Sequence, residues 1–155
     1  MNEAPQQLYA VLVSLQGDTL LLPNLAVAEV VSLEGLRPMA NAPAWFAGTL
    51  AWQGTELAVA GFEPLNNATA EAPYRRTRVV VVNVVSTRLS AGHYGLLAEG
   101  YPHLITLNRA ALRPAPLRPR DNPKLVLSRV RVGSSEAAIP NLERVEEELA
   151  AVLAG

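Results

Sequence analysis

The chain has 155 residues, of which 50% are hydrophobic and 17% charged, so it can build a core and is not globally disordered. It has no cysteine, which excludes disulfides, thiolate zinc sites, iron–sulfur clusters and cysteine nucleophiles. The net charge of −1 is unevenly distributed. Residues 75–131 carry eleven basic and two acidic residues, whereas 1–74 carry one and seven and 132–155 carry one and five.

The N-terminal residues are polar and lack the layout of a signal peptide, and no apolar run approaches the roughly 20 residues of a membrane helix. We therefore expect a cytoplasmic protein without direct membrane insertion. Residues 1–6 are predicted to be a flexible N-terminus, and 7–150 to form the folded unit.

Short valine- and leucine-rich runs separated by turn residues predict strands in the first 60 residues. One hairpin is predicted across Gln16-Gly17-Asp18, and a second across Gln53-Gly54. The predicted strands are 8–15, 19–22, 26–32, 48–52 and 55–60.

The second half begins after a polar stretch, 63–73, which we predict to be a surface loop; the boundary between two halves is expected near 63–77. Residues 79–85 hold six valines and predict a strand buried on both faces. Four prolines in 113–123 predict a loop. Further strands are predicted at 94–98, 103–107, 124–132 and 137–139, the last two joined by the turn Gly133-Ser134-Ser135.

Only the end of the chain has a helical pattern. Asn141 is the predicted N-cap, and apolar residues then recur at spacings of three and four, with Glu146, Glu147 and Glu148 predicted on the opposite face. About nine short strands followed by one helix predict a mainly β protein, a barrel or a sandwich.

The sequence is poor in catalytic and ligating groups. His93 and His103 are the only histidines, and no catalytic or phosphate-binding motif is present. We therefore predict no enzymatic activity, no catalytic residues, no metal site and no cofactor, and a surface role for His93.

The arginine-rich segment 75–131 leaves an alternative open, a small-barrel nucleic-acid-binding protein. Single-strand binders interleave aromatic residues for base stacking, and only Tyr94 and Tyr101 are aromatic there. We expect the basic middle to pair with the acidic ends of the chain instead, and we expect no nucleic-acid partner.

Glu29 stands out as a carboxylate within an apolar strand. It is predicted to point outward, to pair with an arginine of the basic middle, or to contact a partner. Trp45 and Trp52 are each a candidate core anchor or interface residue.

The order of these segments resembles the CheW family, the adaptors of bacterial chemosensory arrays. The segment Ala26-Val27-Ala28-Glu29-Val30 resembles its V-x-E-[IV] strand, and Pro43-Ala44-Trp45 followed by Gly48 resembles its P-x-[WF]-x-x-G motif. The segments 104–116 and 141–145 are similar to its late proline-ended strand and to the start of its last helix.

The resemblance implies two intertwined, five-stranded SH3-like barrels with a C-terminal helix. It also implies a non-enzymatic adaptor that couples chemoreceptor cytoplasmic tips to the regulatory domain of a histidine kinase and is recruited to membrane receptor arrays. By position, Val27, Glu29 and Gly48 match family contact residues; we add Trp52, Gln53 and Gly54 as predicted partner-binding residues.

The second hairpin departs from the family pattern N-x-R-G-x-x-x-P-x-x-D-[LF]. The arginine, proline and aspartate positions hold Gln53, Ala58 and Gly61. In the family that arginine can pair with the strand glutamate, so Gln53 is predicted to be a weaker, neutral donor to Glu29. The departures imply a divergent member, such as one of a system controlling type IV pili and twitching.

Overall fold

The computed structural model describes residues 8–67, 76–108 and 112–155. These ranges contain eleven strands and two α-helices, and a short 3-10 helix (Asn24–Ala26) precedes the third strand. The strands are β1 Leu8–Ser14, β2 Thr19–Pro23, β3 Val27–Ser32, β4 Phe46–Trp52, β5 Thr55–Ala60, β6 Thr77–Asn83, β7 His93–Glu99, β8 His103–Leu107, β9 Leu112–Ala115, β10 Val126–Val132 and β11 Ser135–Pro140; the helices are α1 Phe62–Leu65 and α2 Leu142–Ala154.

The strands form two sheets, which confirms a mainly β fold with a C-terminal helix. The six-stranded sheet has the order β8-β1-β2-β11-β10-β9, and the five-stranded sheet has the order β3-β6-β7-β5-β4. The five-stranded sheet is built from one continuous stretch, 27–99, whereas the other combines strands from both ends of the chain. The chain therefore changes sheet near 24–26 and 100–102; the stretch 63–77, where the boundary between halves was predicted, joins two strands of one sheet.

The six-stranded sheet is curled. Its outermost strands, β8 and β9, are consecutive along the chain, and the five Cα–Cα steps from Leu107 to Leu112 span at most about 19 Å. A flat sheet would place these strands roughly 24 Å apart. The two edges must therefore approach each other, as in a barrel.

Three apolar clusters explain why two small sheets make one stable unit. Alternate residues of β1 and β2 pack inside the six-stranded sheet, around Leu21 and Val130. The five-stranded sheet encloses a second cluster around Leu57 and Val79. The largest cluster lies between the sheets and includes Leu149 of α2. Each sheet thus has one face in its own core and the other in the shared core.

The valine-rich strand β6 shows this division most clearly. Val79 and Val81 belong to the cluster inside the five-stranded sheet, and Val80 and Val82 belong to the shared cluster. All four are fully buried, which confirms the predicted two-sided burial. The strand ends at Asn83, so Val85, which we predicted inside it, is 60% exposed.

Two predicted loops contain regular structure. The loop at 63–73 begins with helix α1, whose Phe62 and Leu65 are buried; residues 68–75 lie outside the described ranges. The proline-rich loop at 113–123 contains most of β9, in which Pro114 pairs with Val130. Proline is compatible with this position because β9 pairs with β10 alone and lies at the edge of its sheet, where one side of the strand makes no ladder hydrogen bonds with another described strand. The sixth strand of the larger sheet, where five were predicted, is thus β9.

Helix α2 begins as predicted, with the side chain of Asn141 accepting a hydrogen bond from the Arg144 N–H (3.1 Å). The placement of Glu146 on the solvent face is wrong, because its side chain is fully buried. Its carboxylate accepts hydrogen bonds from the backbone N–H groups of Val85 (2.8 Å) and Ser86 (2.9 Å). These bonds offset the cost of burying the carboxylate and fix the β6–β7 connection to the helix.

Candidate protein-interaction surface

Glu29 and Trp52 join the two edges of the five-stranded sheet. Glu29 lies on β3 and Trp52 ends β4, and the indole Nε1–H donates to Oε2 of Glu29 at 2.6 Å. Glu29 is exposed and Trp52 is half-buried against the inner cluster of the sheet. Trp52 is therefore partly a core anchor and partly a surface group, and it closes the sheet toward a barrel.

The hydrogen-bond donor to Glu29, which is Trp52, corrects two predictions. Its carboxylate is bound by a neutral indole rather than by an arginine of the basic middle or by the amide of Gln53. The reason is topological: β3 and β4 are opposite edges of the sheet, and only closure of the sheet brings the end of β4 to Glu29.

Asn83 and His93 lie at the same end of the sheet. They are paired across β6 and β7, and the imidazole of His93 packs edge-on against Trp52 with ring centroids 4.8 Å apart. Asn83 follows the inward-facing Val79 and Val81 at a spacing of two, so its side chain belongs to the inner face. We call Glu29, Trp52, Asn83 and His93 the mouth of the five-stranded sheet.

The sequence did not reveal Asn83 as a site residue, and it predicted only a surface role for His93. One signal was available: Asn83 is the single interruption of a run of valines. A polar residue at an inward position marks the place where the interior of the sheet meets solvent.

Gln53 and Gly54 form the turn of the β4–β5 hairpin, as predicted. Both have positive φ, 46° and 76°, which suits the right-handed twist of a two-residue hairpin. Gln53 is exposed and next in sequence to Trp52, so the turn borders the mouth.

Gly48 is remote from the mouth, at the other end of β4, and has a packing role. It lies at a β-bulge with φ of 143°, and an added Cβ would collide with the backbone carbonyl of Arg37. The neighbouring Thr49 exchanges two backbone hydrogen bonds with Arg37, both 2.9 Å. Glycine is required here because the 33–45 segment lies directly against the strand.

Val27 begins β3, separated from Glu29 by a β-bulge, and packs partly against the shared cluster. Of the six predicted partner-binding residues, the structure thus brings four together at one end of the sheet: Glu29, Trp52, Gln53 and Gly54. Val27 and Gly48 lie outside this group.

Arg129 forms a second, buried arrangement that the sequence did not reveal. Its guanidinium is 1% exposed and makes bidentate contacts with Asp18 (2.8 and 2.9 Å) and Asp121 (2.6 and 2.8 Å). Asn66 donates a further hydrogen bond to Asp121 (3.0 Å). Hydrogen bonding to Arg129 holds the pKa of the Asp121 carboxyl well below its usual range.

The Arg129 cluster lies beside a cleft of about 1020 Å³ lined by residues of both sheets. An adjoining apolar cleft of about 340 Å³ is lined by Trp45, Leu36 and Leu97, among others. Trp45 is half-buried and packs against the shared cluster.

Several arginines of the basic middle pair with acidic residues of the chain, as expected from its charge distribution. Arg129 pairs with Asp18 of the acidic first segment, and Arg88 pairs with Glu147 of the acidic last segment at 3.0 Å. These arginines are already neutralised by acidic residues of the chain itself.

No group of three or more histidine, cysteine, aspartate or glutamate side chains in 8–67, 76–108 and 112–155 could hold a metal ion. Within these same ranges, no helix has the length and apolarity needed to cross a bilayer.

The fold defines the class of protein, a two-sheet β protein with a C-terminal helix. The CheW family model, described as a CheW-like domain, matches residues 10–149. The chain belongs to this family, which confirms the resemblance and supports a scaffold role in chemotaxis.

The fold is also that of a solved relative. The scaffolding protein TtCheW from Thermoanaerobacter tengcongensis superimposes with a TM-score of 0.73, covering 92% of this chain and 89% of that one, at 16% sequence identity. At this identity the likeness concerns the fold alone. The comparison with curated protein sequences gives no match.

Proposed function

We propose that the protein is an adaptor that couples the cytoplasmic tips of chemoreceptors to the regulatory domain of a histidine kinase. Family membership supports a chemotaxis scaffold. The observation that carries the proposal is the mouth, where Glu29 is exposed and is held in a fixed orientation by Trp52 although no catalytic step needs it. A polar group held in place at the surface is suited to recognising a partner.

Within this proposal, Glu29, Trp52, Gln53 and Gly54 contact a partner directly. Val27 and Gly48 act by shaping the strands that present these residues. The proposed surface is continuous, because the hairpin turn is joined to Trp52 and Trp52 to Glu29.

Calorimetric titration of the protein with the kinase regulatory domain from the same cell tests the proposal. We expect a Kd at or below the micromolar range and a negative heat-capacity change from burial of apolar surface. Absence of binding to this domain and to a receptor-tip fragment, with both proteins folded, would refute the proposal.

The substitution Glu29→Lys assigns the binding surface. It should abolish binding of at least one partner, because it reverses the charge at the mouth. Glu34→Lys is the matched control, because Glu34 is also exposed and lies just after β3. The substitution changes the net charge of the protein by the same amount as Glu29→Lys. Equal loss of binding in both variants would indicate a general charge effect rather than contact at Glu29.

The cell location and the signalling system are part of the same proposal. As an adaptor, the protein is cytoplasmic and is recruited to membrane receptor arrays through its partners. The altered β4–β5 hairpin favours a specialised system, such as one controlling type IV pili and twitching. Deletion of the gene should then shrink the twitching zone, and an unchanged zone would direct the search to another output.

A further inference from the structure

We infer that the mouth of the five-stranded sheet binds a basic side chain, arginine in preference to lysine, presented by a partner. The inference rests on the proposed function only in that a partner protein carries this side chain. The site is the set of polar and aromatic groups at Glu29, Trp52, Asn83 and His93.

The charge at the mouth is uncompensated. Two other carboxylates at the surface lie beside arginines of the chain: the exposed Glu56 is 2.6 Å from Arg37, and the half-buried Glu148 is 2.7 Å from Arg144. Glu29 forms no ion pair with any described residue, and its one hydrogen bond comes from a neutral indole. A partner's cation would supply the missing opposite charge.

The carboxylate is prepared for such a contact. Its Oε2 accepts from Trp52, which fixes the orientation of the side chain, and no described residue donates to Oε1. Because the acceptor is held in place beforehand, binding costs less side-chain entropy than it would at a free glutamate.

The neighbouring groups complement a guanidinium. Aromatic rings attract cations, and the indole of Trp52 and the imidazole of His93 meet at 4.8 Å beside the carboxylate. The side-chain amide of Asn83 uses its N–H on the backbone carbonyl of Leu25 (2.9 Å), which leaves its oxygen as a further acceptor. A planar group with five donors matches two separated acceptors and an aromatic face better than an ammonium does.

An apolar residue borders the mouth. The side chain of Leu25, whose carbonyl is bound by Asn83, is 86% exposed. The partner segment is therefore expected to carry an apolar side chain near its arginine.

The test uses the full chain and a small probe, so that it does not depend on any partner protein. The indole N–H signal of Trp52 is followed by NMR during titration with N-acetyl-arginine methylamide, and in parallel with its neutral citrulline analogue. We expect a saturable shift with the arginine probe and none with citrulline. Equal or non-saturable shifts with both probes would overturn the inference.

Two variants sharpen the result. Glu29→Gln keeps an acceptor for the indole but removes the charge, and should weaken binding of the arginine probe roughly tenfold to a hundredfold. Glu34→Gln, which removes a charge outside the mouth, should leave the affinity unchanged. If both variants bind like the original protein, Glu29 is not the receiving group and the inference fails.

Titrations with partner proteins separate this inference from the proposed function. A kinase domain and a receptor tip that bind the original protein and Glu29→Gln equally well would support an adaptor and overturn the arginine site. If neither folded partner binds, yet the arginine probe still shifts the indole signal, the proposed function fails and the site remains.

Discussion

The molecule contains two carboxylate sites that differ in how many of their oxygens accept hydrogen bonds from the protein. At the Arg129 cluster, Asp18 and Asp121 have side chains only 6% and 2% exposed, and a bidentate guanidinium binds both. At the mouth, Glu29 is exposed, and among the described residues only Trp52 donates to it, at one of its two oxygens. The protein itself supplies hydrogen bonds to both oxygens of each carboxylate at the Arg129 cluster, whereas Glu29 at the mouth can still accept hydrogen bonds from another molecule.

This difference separates the structural role of the Arg129 cluster from the recognition role that we propose for the mouth. A buried ion cluster must satisfy all its groups, because each unpaired one would cost several kcal/mol. An exposed carboxylate can keep one oxygen without a hydrogen bond from the protein, because water supplies that bond. A partner can later replace that water. Burial and saturation together, rather than residue type, indicate which acidic residues hold the fold.

The largest effect is expected from Arg129→Met. Removing the guanidinium takes away the one buried cation that binds both Asp18 and Asp121, and should lower the free energy of unfolding by about 3–5 kcal/mol. Urea unfolding measures this loss. Arg118→Met is the control: its guanidinium lies 3.7 Å from the same Asp18 but is 44% exposed, so we expect a loss below about 1 kcal/mol. Similar losses in both variants would contradict the special role of the buried cluster.

Acid should weaken the cluster in a defined pH range. Hydrogen bonding to Arg129 lowers the pKa of Asp121 in the folded protein. The contribution of ionised Asp121 to the free energy of unfolding is therefore complete above the unfolded pKa of about 3.9, and it is lost as the pH falls toward the lower pKa of the folded state. We expect this contribution to be on the order of 2 kcal/mol. The variant Asp121→Asn lacks this contribution. The difference in the free energy of unfolding between the original protein and the variant should therefore narrow below pH 4. A gap that is constant from pH 7 to pH 3 would contradict this account.

Gly48→Ala tests which site Gly48 serves. Its positive φ and the close approach of the Arg37 carbonyl predict a loss of about 1–3 kcal/mol in the free energy of unfolding. Gly54→Ala is a control, since an added Cβ there meets nothing within 4 Å and only backbone strain remains. If Gly48→Ala is fully stable but does not bind a partner, Gly48 belongs to the binding surface instead.

The smallest effect on stability is expected from Glu29→Lys. An exposed side chain outside the core should change the free energy of unfolding by less than about 0.5 kcal/mol, whereas partner binding is lost. Thermal unfolding and calorimetric titration of the same sample measure the two properties. A large drop in the unfolding midpoint would show that the Glu29–Trp52 bond is structural, and would remove the contrast between the two sites.

Local patterns predicted the elements whose causes lie within a few residues. The two N-terminal hairpins, the buried valines of β6 and the Asn141 cap all follow from turn chemistry, residue composition or spacing. The buried Glu146 also had a local signal, since it stands four residues after Leu142 and three before Leu149, on the apolar stripe of α2.

The sites themselves depend on contacts that local patterns do not contain. The Glu29–Trp52 bond forms because two sheet edges meet, and Arg129 meets Asp18 across 111 positions of sequence. The family resemblance pointed to the strand of Glu29, but it predicted Gln53 rather than Trp52 as its donor. The edge strand β9 was missed because its one proline, Pro114, is acceptable only at the edge of a sheet.

The order in which the strands are used has a consequence for synthesis. All strands of the five-stranded sheet are complete once residue 99 has left the ribosome, whereas β2 must wait for β11 to supply its partner at Ala138. The first hairpin made is therefore among the last to be built into its sheet. During that interval the apolar face of this hairpin that includes Leu20 and Leu22 is covered only by the newly formed five-stranded sheet. Nascent chains should therefore be most vulnerable to aggregation and proteolysis before the C-terminal hairpin, β10–β11, emerges.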